Sequence, residues 1–151
     1  MVHVYALRPP DKIAPFFYTV SQPVGKGHTH PPQEDAALVR FMLRNLYTAR
    51  AMSPAAPACM DLQPFGGVDQ KLIDAITAVQ RCNFPASVDG YVSPQRDDRP
   101  RMIMLLNAVT RKRLWPWWPN LWDYPQLYPP ILKDAFRNAA MGNTDDIMPL
   151  K

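Results

Sequence analysis

Between residues 69 and 81 the apolar positions recur with a helical beat. Leu72, Ile73, Ile76 and Val79 fall at i, i+1, i+4 and i+7, which gathers them along one side of a helix about three turns long. Gly66 and Gly67 supply a turn before it. Asp69 is placed to cap it by accepting hydrogen bonds from its first free backbone N–H groups. Beyond the helix, Asp89-Gly90 sits between Val88 and Tyr91-Val92 and marks a second tight turn, because glycine alone enters positive φ without steric cost. The stretch from Phe65 to Pro94 therefore reads as the organising centre of the chain.

The same periodicity predicts three further helices. Upstream, Pro31 and Pro32 occupy first-turn positions where a missing N–H costs little. Glu34 and Asp35 then meet the positive helix end, and Leu38, Val39, Met42 and Leu46 share a face. Downstream, Asp98 reads as an N-cap and Pro100 as an early helical position. A helix over 100–113 then faces Met102, Leu105, Leu106 and Val109 inward. A short helix over 131–141, stopped by Gly142, closes the pattern. Near the N-terminus, Val2 to Leu7 and Phe16 to Val20 are rich in β-branched and aromatic residues and fit extended segments. They suit either pairing with each other or an arm laid across the helices. The tail after Asn143 is expected to fray.

Composition narrows the class. A chain of 151 residues can bury one real core, while its 18 prolines imply helices separated by extended connections. The segment from Thr48 to Pro64 lacks periodicity and reads as extended and solvated. A formal charge of +4 is modest, and its densest run, Arg111-Lys112-Arg113, falls where cations complement helix C-terminal carbonyls. That is too little for a nucleic-acid face. No run of about 18 apolar residues occurs, so no membrane insertion is expected. Residues 1–10 lack a basic and apolar signal. The expectation is a protein cytoplasmic as synthesised, or one delivered to the periplasm or cell wall by a non-Sec route.

The stretch around the central helix resembles the peptidoglycan-binding-like domain, a small three-helix module found beside cell-wall hydrolases. That family shows Asp-Gly-x-Phe-Gly-Pro-x-Thr, a helix ending Ala-Val-x-x-Phe-Gln, and a second Asp-Gly-x-Val-x-Pro turn. Here the helix ends Ala75-Ile76-Thr77-Ala78-Val79-Gln80, and the turn is Val88-Asp89-Gly90-Tyr91-Val92-Ser93-Pro94. The lead-in Val24-Gly25-Lys26-Gly27 also fits. The first turn departs: Phe65 stands for Asp, Asp69 for Gly and Leu72 for Thr. The resemblance covers roughly Val24 to Val109. It implies a mainly α fold with an N-terminal arm over 1–23, a three-helix domain over 24–113 and an extension over 114–151. It also implies recognition of bacterial peptidoglycan through a groove near the second turn, which points to Gln80, Asp89, Gly90 and Tyr91.

The extension gathers all four tryptophans, Trp115, Trp117, Trp118 and Trp122, with Tyr124 and Tyr128 among repeated prolines. Prolines forbid a continuous helix there, and each ring can bury roughly 150–250 Å². Three destinations fit: the protein's own core, a pocket on a partner protein, or the C–H faces of a glycan. The second would make the chain an adaptor in a contractile injection (type VI secretion-like) or phage-tail system that keeps the fold without holding glycan. In the binding readings Trp115, Trp117, Trp118, Trp122 and Tyr124 join the site.

Nothing in the sequence calls for catalysis. No Gly-x-Ser-x-Gly setting, Walker loop or dinucleotide fingerprint occurs, so no cofactor is expected. Asp97-Asp98 and Asp145-Asp146 suit capping and solvation better than acid–base work. His28 and His30 read as exposed loop residues, since zinc asks for three or four convergent ligands. A cysteine nucleophile would need Cys59 or Cys82 to meet a histidine in space. The two cysteines read as free thiols, with Cys82 partly buried; the alternative is a disulfide tying the 48–64 loop to the helix end.

Overall fold

The computed structural model describes residues 3–8, 16–45, 58–59, 62–63, 66–94, 101–114, 130–140 and 146–149. Among them helix predominates: α1 spans Gln33–Asn45, α2 Gln70–Asn83, α3 Arg101–Leu114 and α4 Lys133–Ala140, with a 3-10 turn at Pro130–Leu132 leading into α4. The strands are short: β1 His3–Arg8, β2 Phe16–Thr19, β3 Val24–Gly25, β4 Tyr91–Val92 and β5 Asp146–Pro149. The mainly helical class expected from periodicity is what the structure shows. No described helix is long and apolar enough to cross a membrane.

The deepest element is α1, not the stretch the sequence marks as central. Residues Asp35 to Leu43 are all buried, so α1 has no solvated face within that run. A helix buried on every side belongs inside a core, even one carrying Asp35 and Arg40. A one-sided stripe of Leu38, Val39 and Met42 undercounts it, because Ala36, Ala37, Phe41 and Leu43 are buried as well. Side chains from α1, α2 and α3, together with Phe17, Tyr18 and Val20 from β2 and its continuation, meet in one buried cluster that also takes in Leu132.

A polar residue in α1 survives burial because it is bonded. Asp35 accepts from Ser21 N at 3.1 Å, Ser21 Oγ at 2.7 Å and Gln22 N at 3.2 Å through its Oδ2. Its position in the first turn fits the helix dipole. The carboxylate also pins the bend between β2 and β3, a task invisible to periodicity.

The start of α2 follows the sequence closely. Asp69 is the N-cap, with extended backbone, and its Oδ1 accepts from Leu72 N at 2.9 Å. The buried positions are Leu72, Ala75, Ile76, Val79 and Gln80, the i, i+3, i+4, i+7, i+8 set of an amphipathic helix. Ile73 is only half-buried, because one step along a helix turns a side chain by about 100° off the stripe.

In α3 the inward face differs from the expected one. Met102, Ile103, Leu106, Asn107 and Thr110 are buried, while Leu105 and Val109 sit half-buried at the border. The stripe is turned because a polar side chain has work inside. Asn107 Oδ1 accepts from Tyr18 N at 2.8 Å, and its Nδ2 donates to Tyr18 O at 2.7 Å and to Ile103 O at 2.8 Å.

That contact docks a small sheet. β1 pairs antiparallel with β2, Val4 opposite Tyr18, and parallel with β5, Ala6 opposite Ile147, giving the order β2-β1-β5. β2 is therefore an edge strand within this sheet, and an edge strand's outward N–H and C=O need partners once buried. The Asn107 amide supplies both at Tyr18. Pairing thus joins the two N-terminal extended segments to each other, and residues 146–149 of the tail form a strand instead of fraying.

Cys59 is buried and Cys82 exposed, both as free thiols. This reverses the expected burial: position 59 enters the core cluster, whereas Cys82 lies off the stripe of α2. Asp98, Pro100, Leu46 and most of the 48–64 segment lie outside the described residues; of that segment Cys59 and Leu62 are buried, not solvated as expected.

Candidate surface at the β3–β4 turn

Val24 pairs with Val92 and Gly25 with Tyr91 in the two-stranded β3–β4 ladder. The ladder brings the lead-in to α1 against the turn that follows α2. Glycine is needed on both sides. Gly25 has φ +138°, and a Cβ there would come within 2.4 Å of Gly90 O. Gly90 has φ +80°, the region a side chain disfavours. Lys26 N donates to Gly90 O at 2.9 Å and closes the approach.

Gln80 fixes the turn from beneath. Only 3% exposed, it offers two amide protons and two lone pairs, and all four are used. Nε2 donates to Asp89 Oδ1 at 2.8 Å and to Tyr91 O at 3.1 Å. Oε1 accepts from Gly90 N at 2.9 Å and Asp89 N at 3.2 Å. Asp89 Oδ1 also accepts from Tyr91 N at 3.2 Å, the local bond that suits aspartate to turns. A buried amide with every site filled holds a rigid shape. What Gln80 presents to solvent is therefore the turn itself, not its own side chain.

Four of the residues singled out in sequence, Gln80, Asp89, Gly90 and Tyr91, are thus brought into one network. The other five, Trp115, Trp117, Trp118, Trp122 and Tyr124, lie outside the described residues. Sequence reasoning did not bring His28 to this surface. Its ring meets the half-buried Tyr91 ring at 4.8 Å between centroids, 62° apart. Its backbone exchanges bonds with Gly25 in both directions, at 3.1 and 2.9 Å. Beside it opens a depression of about 240 Å³ whose lining includes Gln22, His28, Thr29 and His30. The local signal for this arrangement is Gly25-Lys26-Gly27, a tight turn ahead of His28.

The first turn, by contrast, is tied to α1 through its carbonyls while Gly66 and Gly67 stay exposed. Arg40 of α1, 2% exposed, donates to Gly67 O from Nη2 at 2.6 Å and from Nε at 3.1 Å, and to Gln63 O from Nη1 at 3.3 Å. Its Nη2 also stands 3.3 Å from Asp69 Oδ1. Burial works against the charged form of Asp69, but the Leu72 N–H bond and the Arg40 charge outweigh it and hold the carboxyl below the usual carboxylate range.

The Cys59 thiol is poorly placed for nucleophilic use. Burial, with a smaller contribution from Cys82, pushes the Cys59 thiol up to about 12. A reactive cysteine needs the opposite shift. Among the described residues no three His, Cys, Asp or Glu side chains gather in a metal-binding cluster. Compared with protein-family models, curated proteins and solved structures, the chain matches none.

Proposed function

We propose that the chain is a non-catalytic binding module with a peptidoglycan-binding-like three-helix core, which holds bacterial cell wall at the β3–β4 turn. The observation that supports this reading is the filled Gln80 network. It freezes Asp89, Gly90 and Tyr91 into one shape, and a preformed surface binds without the cost of ordering itself. Tyr91 then offers a fixed ring edge-on to His28, a suitable wall for the C–H face of a sugar. The test is co-sedimentation of the full chain with purified insoluble peptidoglycan at low salt. The chain is expected in the pellet, and Tyr91→Ala in the supernatant with its fold intact. Wild-type protein that stays in the supernatant overturns the wall reading.

A second reading makes the chain an adaptor in a contractile injection or phage-tail system that has kept the fold without holding glycan. One observation favours it: Arg40 draws the first turn, which helps shape the groove in the resembled family, onto α1. Under this reading the protein forms a complex of defined mass with a neighbouring component in size-exclusion chromatography and ignores peptidoglycan.

A further inference from the structure

The depression beside the ladder carries an inference that goes beyond wall or partner binding. Two histidines, His28 and His30, belong to its lining. Two backbone features put them there. His28 is held in an isolated bridge with Gly25, and His30 precedes Pro31, which pushes a residue into extended conformation. In an extended chain, side chains two apart project to one face, with their Cα atoms roughly 7 Å apart. Each ring is also steadied. Thr29 Oγ1 lies 3.0 Å from His30 Nδ1, which leaves Nε2 of that ring for another ligand, and the His28 ring packs edge-on against Tyr91. A bonded second ring nitrogen is the usual support for a metal-bound histidine. The remaining lining comes from Gln22, Pro23, Gly27, Thr29 and Pro31, so among the described residues no cation in the lining repels a metal and no carboxylate favours a hard one.

We propose that His28 and His30 form a two-imidazole site for a borderline divalent transition ion of the zinc, nickel and copper class, its remaining positions filled by water. Imidazole pairs suit these ions, and oxygen-seeking calcium and magnesium find too few partners. In sequence the two histidines read as exposed loop residues; the shared opening brings them together. With only two protein ligands the site is exchangeable and open to a further donor from a bound molecule, unlike a closed structural zinc site.

The test is calorimetric titration of the full chain with Zn²⁺, and separately Ni²⁺, in a Cys82→Ser background, because the exposed Cys82 thiol is a competing ligand. Saturable binding of one ion per chain is expected, unaffected by excess Mg²⁺. His28→Ala and His30→Ala should each weaken it by about tenfold or more, while His3→Ala leaves it unchanged. Both histidines are exposed, so thermal unfolding should stay within about 2 °C of the parent. Should His28→Ala disturb Tyr91, His30→Ala reads the site without touching that ring contact. Absence of saturable binding, or unchanged affinity in the double variant, overturns the proposal. Loss of peptidoglycan binding alone does not bear on it.

Discussion

Two helices each bury one side-chain amide and use it chiefly on a segment outside the helix. Gln80 of α2 fills its four positions on the 89–91 turn, and Asn107 of α3 pairs with Tyr18 on the edge of β2. The chemistry is the same and the surroundings are not. The turn under Gln80 is half-open, with Gly90 buried but Asp89 and Tyr91 partly exposed, so water can replace part of what is lost. Asn107 and the Tyr18 it serves are both fully buried, and nothing replaces it. An amide beneath a surface shapes that surface, whereas an amide in the interior decides whether two layers dock.

The sharpest way to break this comparison is Asn107→Leu. It removes the partner of a buried N–H and a buried C=O, each costing about 1–3 kcal/mol when stranded. The expected loss is about 3 kcal/mol or more, read as a lower urea midpoint. A loss below about 1 kcal/mol would show that the sheet does not need the amide. Gln80→Ala should cost less, about 2 kcal/mol, because solvent reaches the freed turn. Its larger consequence should be functional: retention on peptidoglycan falls although most of the protein stays folded. If Gln80→Ala costs more stability than Asn107→Leu, the contrast between interior and surface amide is wrong.

Gly90→Ala probes the same turn from the backbone side. A side chain at φ +80° with Lys26 Cβ 3.1 Å away should cost about 1–2 kcal/mol. The peptidoglycan pellet assay should weaken in step. The smallest effect belongs to the other end of α2. Asp69→Ala removes an N-cap and should cost about 1 kcal/mol in chemical denaturation. Because the folded carboxyl titrates below its unfolded value, this contribution is present at neutral pH and is lost as pH falls through that lowered value. The difference between parent and Asp69→Ala should accordingly shrink toward zero in acid.

The two amides also mark how far the sequence could be read. Gln80 stands near a turn that announces itself through Asp89-Gly90, and both the helix and its Asp69 cap follow from spacing. Those signals are local. Asn107 serves a residue 89 positions away, and a polar residue inside a helix reads by default as solvent-facing, so Met102 and Leu106 are legible as inward while Asn107 and Thr110 are not. The burial of α1 on all sides escaped because Arg40 interrupts its apolar run, and only the geometry shows that the guanidinium is occupied by Gly67 and Gln63. At the candidate surface, the Asp-Gly turn and Tyr91 were legible. The approach of His28 needed the β3–β4 pairing, whose ladder is two residues long and too short to leave a pattern.

The strand order β2-β1-β5 has a temporal meaning. On the ribosome β1 and β2 precede the helices and can form their hairpin, but the strand that completes the sheet is translated after all four described helices. Until then one side of β1 stays unpaired, open to the same segment of another nascent copy. Slow refolding and swapped dimers at high concentration are the failures this arrangement invites, and extra residues that keep the final strand from reaching β1 would promote both.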